Sequence, residues 1–312
     1  MTSRVVLAAL PVLLAAVVVA CGGGTEAEKR YRIGVEHMDA GRYVEAASEF
    51  GNAINLDATM ALAYNGRGEA YWELGNADGA LQHYDAAIRI DPELAVAYHN
   101  RAEVIRSLGD VEGSLFGYEE ALRLDPELAG AYVGRGQVRV FMGDIEAAIR
   151  DFGEAIGRDP DSFGALNGRG IVYASLGRYE EAVADLDRAI RLDPNVAATR
   201  YNRGVSLVTL GRHLLALEDF GAAIRLDKEY QAAYVNRGAV FGSLSQFDLA
   251  LADFEVAIQL APEEGDAYAN RSMALTLMGR DDEAVQDLES AVELGVDRES
   301  LERQIEELKA VR

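Results

Sequence analysis

The chain is poor in the residues that assemble catalytic and metal centres. Its 312 residues include one cysteine, four histidines and one tryptophan. A single cysteine, Cys21, excludes an intrachain disulfide. His37, His83, His99 and His213 fall at unrelated spacings, with no His-x-x-x-His pair or other metal-ligand pattern. They read as surface or packing residues. The carboxylates are many, but none forms a pair suited to general acid and base work. We expect no enzyme, no catalytic residue, no metal and no cofactor. Basic charge is also scarce: 30 Lys and Arg stand against 52 Asp and Glu, a net charge of −22. Such a surface repels nucleic acid and anionic lipid headgroups. Long apolar runs are missing except one, at the N-terminus.

That run, Val5 to Ala20, follows Arg4 and is interrupted only by Pro11. It is short for a membrane span, which takes about 20 residues, and suits a signal peptide over residues 1–20. It ends in Val18-Val19-Ala20-Cys21-Gly22, which resembles a bacterial lipobox. The resemblance implies acylation of Cys21 and cleavage before it; an uncleaved anchor and ordinary signal cleavage are the alternatives. More than one acyl chain gives stable anchoring. Residues 21–26 would then be the lipidated cysteine and a glycine-rich tether of about 20 Å at full stretch, keeping the domain close to the bilayer. The expected place is the bacterial cell envelope: the periplasmic face of an outer membrane or the outer face of the cytoplasmic membrane. Glycine rather than aspartate at residue 22 favours the former, by analogy with enterobacterial sorting.

What is abundant is repetition. The segment from Phe163 to Val196 is one 34-residue unit, and units start in phase at Ala27, Ala61, Ala95, Ala129, Phe163, Ala197, Gln231 and Gly265. The eight units are 27–60, 61–94, 95–128, 129–162, 163–196, 197–230, 231–264 and 265–298. Position 27 of every unit is alanine, from Ala53 to Ala291. Position 8 is glycine or another small residue, and position 24 is bulky: Phe50, Tyr84, Tyr118, Phe152, Leu186, Phe220, Phe254 and Leu288. Small residues facing large ones at helical spacing predict two amphipathic helices per unit, packed closely. A unit this short cannot bury both faces alone and must stack on its neighbours.

The period and these positions together resemble the tetratricopeptide repeat family over about seven-eighths of the chain. The resemblance implies an all-α fold: a right-handed α-solenoid superhelix of eight helix-turn-helix repeats. Residues 299–312 carry an apolar stripe of Leu301, Ile305 and Leu308 behind Asp297, and are expected to form a capping helix. Proline at position 32 should stop the second helix; its replacement by Ala58, Lys228 and Val296 predicts looser turns there. An arginine ladder at position 7, Arg67 to Arg271, is expected to pair with acids such as Asp151 and Asp185 on the second helix. Arg139 at an apolar position predicts a local irregularity.

In this family, positions 2, 5, 6, 9, 12 and 13 of the first helix tend to line a concave groove. In units four to eight these positions hold Tyr201, Asn202, Val205, Asn236 and Asn270 among apolar and small residues, with Asp266 the only charge. Gly134, Gly164, Gly168 and Gly242 would let a ligand backbone approach. Units one to three are more charged, with Glu69, Glu73, Glu103 and Arg106 beside Trp72. Asn100, Asn202, Asn236 and Asn270 share position 6, and an amide offers both donor and acceptor to a peptide backbone. The alternative is that these asparagines bond between repeats. The groove has no lysine, so the carboxylate clamp of chaperone-docking members does not carry over. The expected function is a non-catalytic scaffold or assembly adaptor that binds a peptide or protein, with Trp72, Asn100, Tyr201, Asn202, Val205, Asn236 and Asn270 as contact residues. Self-association into a homo-oligomer is the alternative.

Overall fold

A computed structural model of the chain describes residues 24–312; Cys21 and the leader lie outside the described residues. The described residues form helices and turns only. In order the helices are α1 (Glu26–Asp39), α2 (Tyr43–Leu56), α3 (Ala61–Glu73), α4 (Ala77–Ile90), α5 (Ala95–Ser107), α6 (Val111–Leu124), α7 (Ala129–Phe141), α8 (Ile145–Arg158), α9 (Phe163–Ser175), α10 (Tyr179–Leu192), α11 (Ala197–Thr209), α12 (His213–Leu226), α13 (Gln231–Ser243), α14 (Phe247–Leu260), α15 (Gly265–Leu277), α16 (Asp281–Glu293) and α17 (Arg298–Val311). Packing divides them into two compact units that meet inside α9, one ending at Gly168 and the other starting at Arg169. Each unit is a solenoid-like stack of antiparallel helix pairs.

The position-24 side chains are the knobs of both stacks. Phe50, Tyr84, Tyr118, Phe152, Phe220 and Phe254 are each no more than 1 % exposed. The glycine at position 8 makes room for the ring: a Cβ on Gly34 would stand 2.6 Å from Phe50, and one on Gly68 2.7 Å from Tyr84. The same ring reaches the next repeat, where a Cβ on Gly66 would meet Phe50 at 2.7 Å. Alanines at position 27, all fully buried, permit this approach of neighbouring helices.

The turn within each pair depends on a left-handed residue at position 15. Gly41, Gly75, Gly109, Gly143, Gly177, Gly211 and Gly279 all have positive φ, and Ser245 holds φ 59° in the seventh repeat. The turn between repeats is closed by the aspartate at position 31. Asp91, Asp125 and Asp193 each accept from the backbone N–H two residues on, at 2.9 to 3.0 Å. Asp57 and Asp227 make the same bond at 2.9 Å although no proline follows them. The turns at Ala58 and Lys228 therefore keep the aspartate bond without a proline, whereas the turn after α14 has Ala261 and Pro262 and forms without the aspartate.

At the C-terminal end α17 packs on α15 and α16. Its Asp297 caps the helix by accepting from Ser300 N–H at 2.8 Å. Leu301 and Ile305 close over Leu288, Ala291 and Ala269.

Candidate peptide-binding face

Within each unit the first helices of successive repeats touch one another: α1 with α3, α3 with α5, α5 with α7, and later α11 with α13 and α13 with α15. Within either unit no two second helices do so. The first helices thus form the inner side of each stack, and their outward positions form its accessible face.

Most of the arginine ladder is paired behind this face; Arg67 instead lies over the Tyr71 ring, 5.6 Å from its centroid. Arg135, Arg169, Arg203, Arg237 and Arg271 each make a two-bond fork to Asp151, Asp185, Asp219, Asp253 and Asp287, all bonds between 2.6 and 3.0 Å. These aspartates are buried, so the pairs join the two helices of a repeat inside the protein rather than on its surface. Direct bonding to Asp185 holds the Arg169 guanidinium above its ordinary pKa. In the third repeat position 23 is glycine, and Arg101 turns to Asp85 of the preceding repeat, 2.8 Å away. Arg139 is no irregularity: it adds a second guanidinium to Asp151, at 2.7 Å.

Two of the histidines pack against aromatic rings, and His37 accepts from Arg42 Nε–H at 2.8 Å. His83 stacks on Tyr71, ring centroids 5.2 Å apart and 3° from parallel. His99 tilts against Tyr118 at 5.9 Å. Burial, then the nearby Arg67, pushes the His83 imidazole down to about 4. Among the described residues no group of three or more His, Cys, Asp or Glu is placed to hold a metal.

The asparagines divide in role. Asn100 donates to Asn65 of the preceding repeat at 3.2 Å. Asn236 donates to the Tyr201 hydroxyl at 3.1 Å and to Ala232 O at 2.9 Å. Asn270 donates to Asp266 O at 2.8 Å. Three of the four amide NH2 groups are therefore engaged internally, leaving their carbonyl oxygens as the outward groups. No such bond holds the Asn202 amide among the described residues. Tyr201 packs within its own repeat, its ring 5.0 Å from Tyr230 and 5.9 Å from Phe220, and reaches the next repeat through Asn236. Val205 is half-buried and packs on the core beneath it. Trp72 is half-buried against Tyr84 and Val104 in the first unit.

Two of the glycines are not ligand approaches. A Cβ on Gly134 would lie 2.4 Å from Tyr118, and one on Gly168 2.8 Å from Phe152, so packing of the position-24 ring accounts for both. Gly242 does face open space. Thr276 is fully buried, and its carbonyl receives Arg312 at 2.8 Å. Accessible on the inner side of the second unit are Ile171, Asn202, Val205, Asn236, Ala239, Gly242 and Asn270, with the exposed Asp266 of the last repeat the one charge among the groove positions.

A stack of paired helices built on this 34-residue pattern is an all-α repeat protein of the kind that serves as a protein–protein interaction scaffold. Residues 31–95 and 133–197 match one tetratricopeptide repeat pattern and residues 265–294 another, together just over half of the chain. The chain belongs to the tetratricopeptide repeat family. Among solved structures it is similar to YrrB, described as a TPR protein with an unusual peptide-binding site. The two are 28 % identical over 60 % of this chain and 97 % of that one, with a TM-score of 0.55. It is also similar to MamA, at 27 % identity over 54 % of this chain and 92 % of that one, TM-score 0.51. PilF of Pseudomonas aeruginosa shares the fold, at 18 % identity over 71 % of this chain and 99 % of that one, TM-score 0.59. No curated protein matches the chain.

Proposed function

We propose that the chain is a non-catalytic scaffold or assembly adaptor of the bacterial cell envelope. It binds an extended peptide segment of a partner protein along the inner side of its repeats and is held to a membrane by acyl chains on Cys21. One observation supports this reading: a protein of net charge −22 carries a single charge, Asp266, among the groove positions of its second unit, with the half-buried Asn202, Asn236 and Asn270 along it. Apart from Asp266, acid is kept away from the place where a peptide backbone would lie, and amide oxygens there would accept its N–H groups. The likeness to YrrB, with its peptide-binding site, supports the same use. The Val18–Cys21 sequence supports the anchor; among the described residues no helix is long and apolar enough to cross a membrane.

The anchor is tested by growing cells with an alkyne fatty acid. The wild-type protein should take up the label and sediment with membranes, and Cys21→Ser should do neither. Equal labelling of the two would overturn the anchor while leaving the peptide face standing.

A further inference from the structure

The second and third repeats differ from the other six in a correlated way. Position 24 is tyrosine only in these two, Tyr84 and Tyr118, and position 9 is glutamate only in these two, Glu69 and Glu103. In the third repeat the reason is visible. The Tyr118 hydroxyl donates to Glu103 at 2.6 Å, and Arg106, at position 12, completes the set with bonds of 2.7 Å to Glu103 and 3.2 Å to Tyr118. Tyrosine, carboxylate and guanidinium satisfy one another.

In the second repeat the same set lacks its cation. Tyr84 occupies the place of Tyr118 and Glu69 that of Glu103, but position 12 holds Trp72. The Tyr84 ring is 1 % exposed, and among the described residues its hydroxyl has no hydrogen-bond partner. The charged groups acting on that hydroxyl are Glu69, Glu73 and Glu103, all acids. Those acting on Glu69 are Glu73 on its own helix and Asp39 on α1, again acids. Burial first, and then these neighbours, raise the Glu69 carboxyl above its ordinary range. Tyr31 on α1 also feels its charge. A half-buried carboxylate without a counter-ion is costly, and supplying the ion recovers that cost.

We propose that Glu69, Glu73, Asp39, Tyr84 and Trp72 form a subsite on the inner side of the first unit for a cationic side chain of the bound peptide, an arginine or lysine that takes the place Arg106 fills one repeat further on. The subsite rests on the peptide-binding reading above and adds a sequence preference to it. Glu69 and Tyr84 give charge-assisted hydrogen bonds, Asp39 and Glu73 set the field, and the Trp72 indole offers a face for the cation.

Trp72 is the only tryptophan, so its fluorescence reports on this subsite alone. The probes are two capped pentapeptides of glycine and serine, one with a central arginine and one with citrulline, which has nearly the same shape without the charge. The arginine peptide should change Trp72 emission saturably, and citrulline should weaken binding by about tenfold or more. Glu69→Gln, and separately the exposed Glu73→Gln, should each weaken the arginine peptide by roughly threefold or more, with circular dichroism melts showing that both variants fold. Equal binding of the two peptides, no binding of either, or unchanged binding by both variants would overturn the subsite. Cross-linking from Ala239 in the second unit reads the wider peptide-binding proposal separately: a partner captured there with no arginine preference at Trp72 removes the subsite only.

Discussion

Single residues carry the turn and the pH response. Ser245 alone among the position-15 residues is not glycine, yet it holds a left-handed backbone. An L side chain there costs about 1–2 kcal/mol. Ser245→Gly should therefore stabilise the protein by about 1 kcal/mol, read as a higher urea midpoint with unchanged slope. A lower midpoint would contradict the turn argument. His83 gives a pH signature. Its folded pKa is pushed down to about 4 by burial and Arg67, below the value of about 6.5 it has when unfolded. The unfolded chain thus binds a proton first, and the His83 contribution is whole above that unfolded value and is lost as pH falls towards about 4. The stability difference between wild type and His83→Gln should shift against the wild type over that interval and stay flat above it. A flat difference throughout would show that the imidazole is not held neutral.

At the scale of helices, the sequence was legible where a repeat imposes one answer at every copy. Alanine at position 27 and glycine at position 8 announced the helix pairs because only small residues fit beneath the position-24 ring. The capping helix was legible from Asp297 and its Leu301–Ile305 stripe. Less legible were features that depend on which helix faces which. The buried depth of the Arg–Asp forks, the internal use of the Asn100 and Asn236 amides, and the filling of Gly134 by Tyr118 all lie across a helix-to-helix contact. The looser turns expected at Ala58 and Lys228 were read from the missing proline, whereas the aspartate before each closes an Asx turn without one. The joint change to tyrosine and glutamate in repeats two and three was a readable signal that takes meaning only from the contact between Tyr118 and Glu103. Because Leu301 on α17 is buried, Leu301→Ala should cost about 3 kcal/mol locally. Repeats depend on their neighbours, so faster amide exchange should appear in α15 and α16 first. Exchange changed evenly along the whole chain would contradict a cap that guards one end.

At the scale of the molecule, charge is separated. Acids outnumber bases over the chain, the ladder arginines from Arg135 to Arg271 are paired with buried aspartates, and the groove positions of the second unit carry one charge, Asp266. Peptide binding there is measured most directly by photo-cross-linking in cells, with benzoylphenylalanine placed at Ala239 on the inner side or at Leu249, an exposed residue of α14. Adducts mapped by mass spectrometry should join residue 239, and not residue 249, to one continuous segment of a different protein. Adducts at both positions alike, adducts only to a second copy of this chain, or none at residue 239 would contradict it.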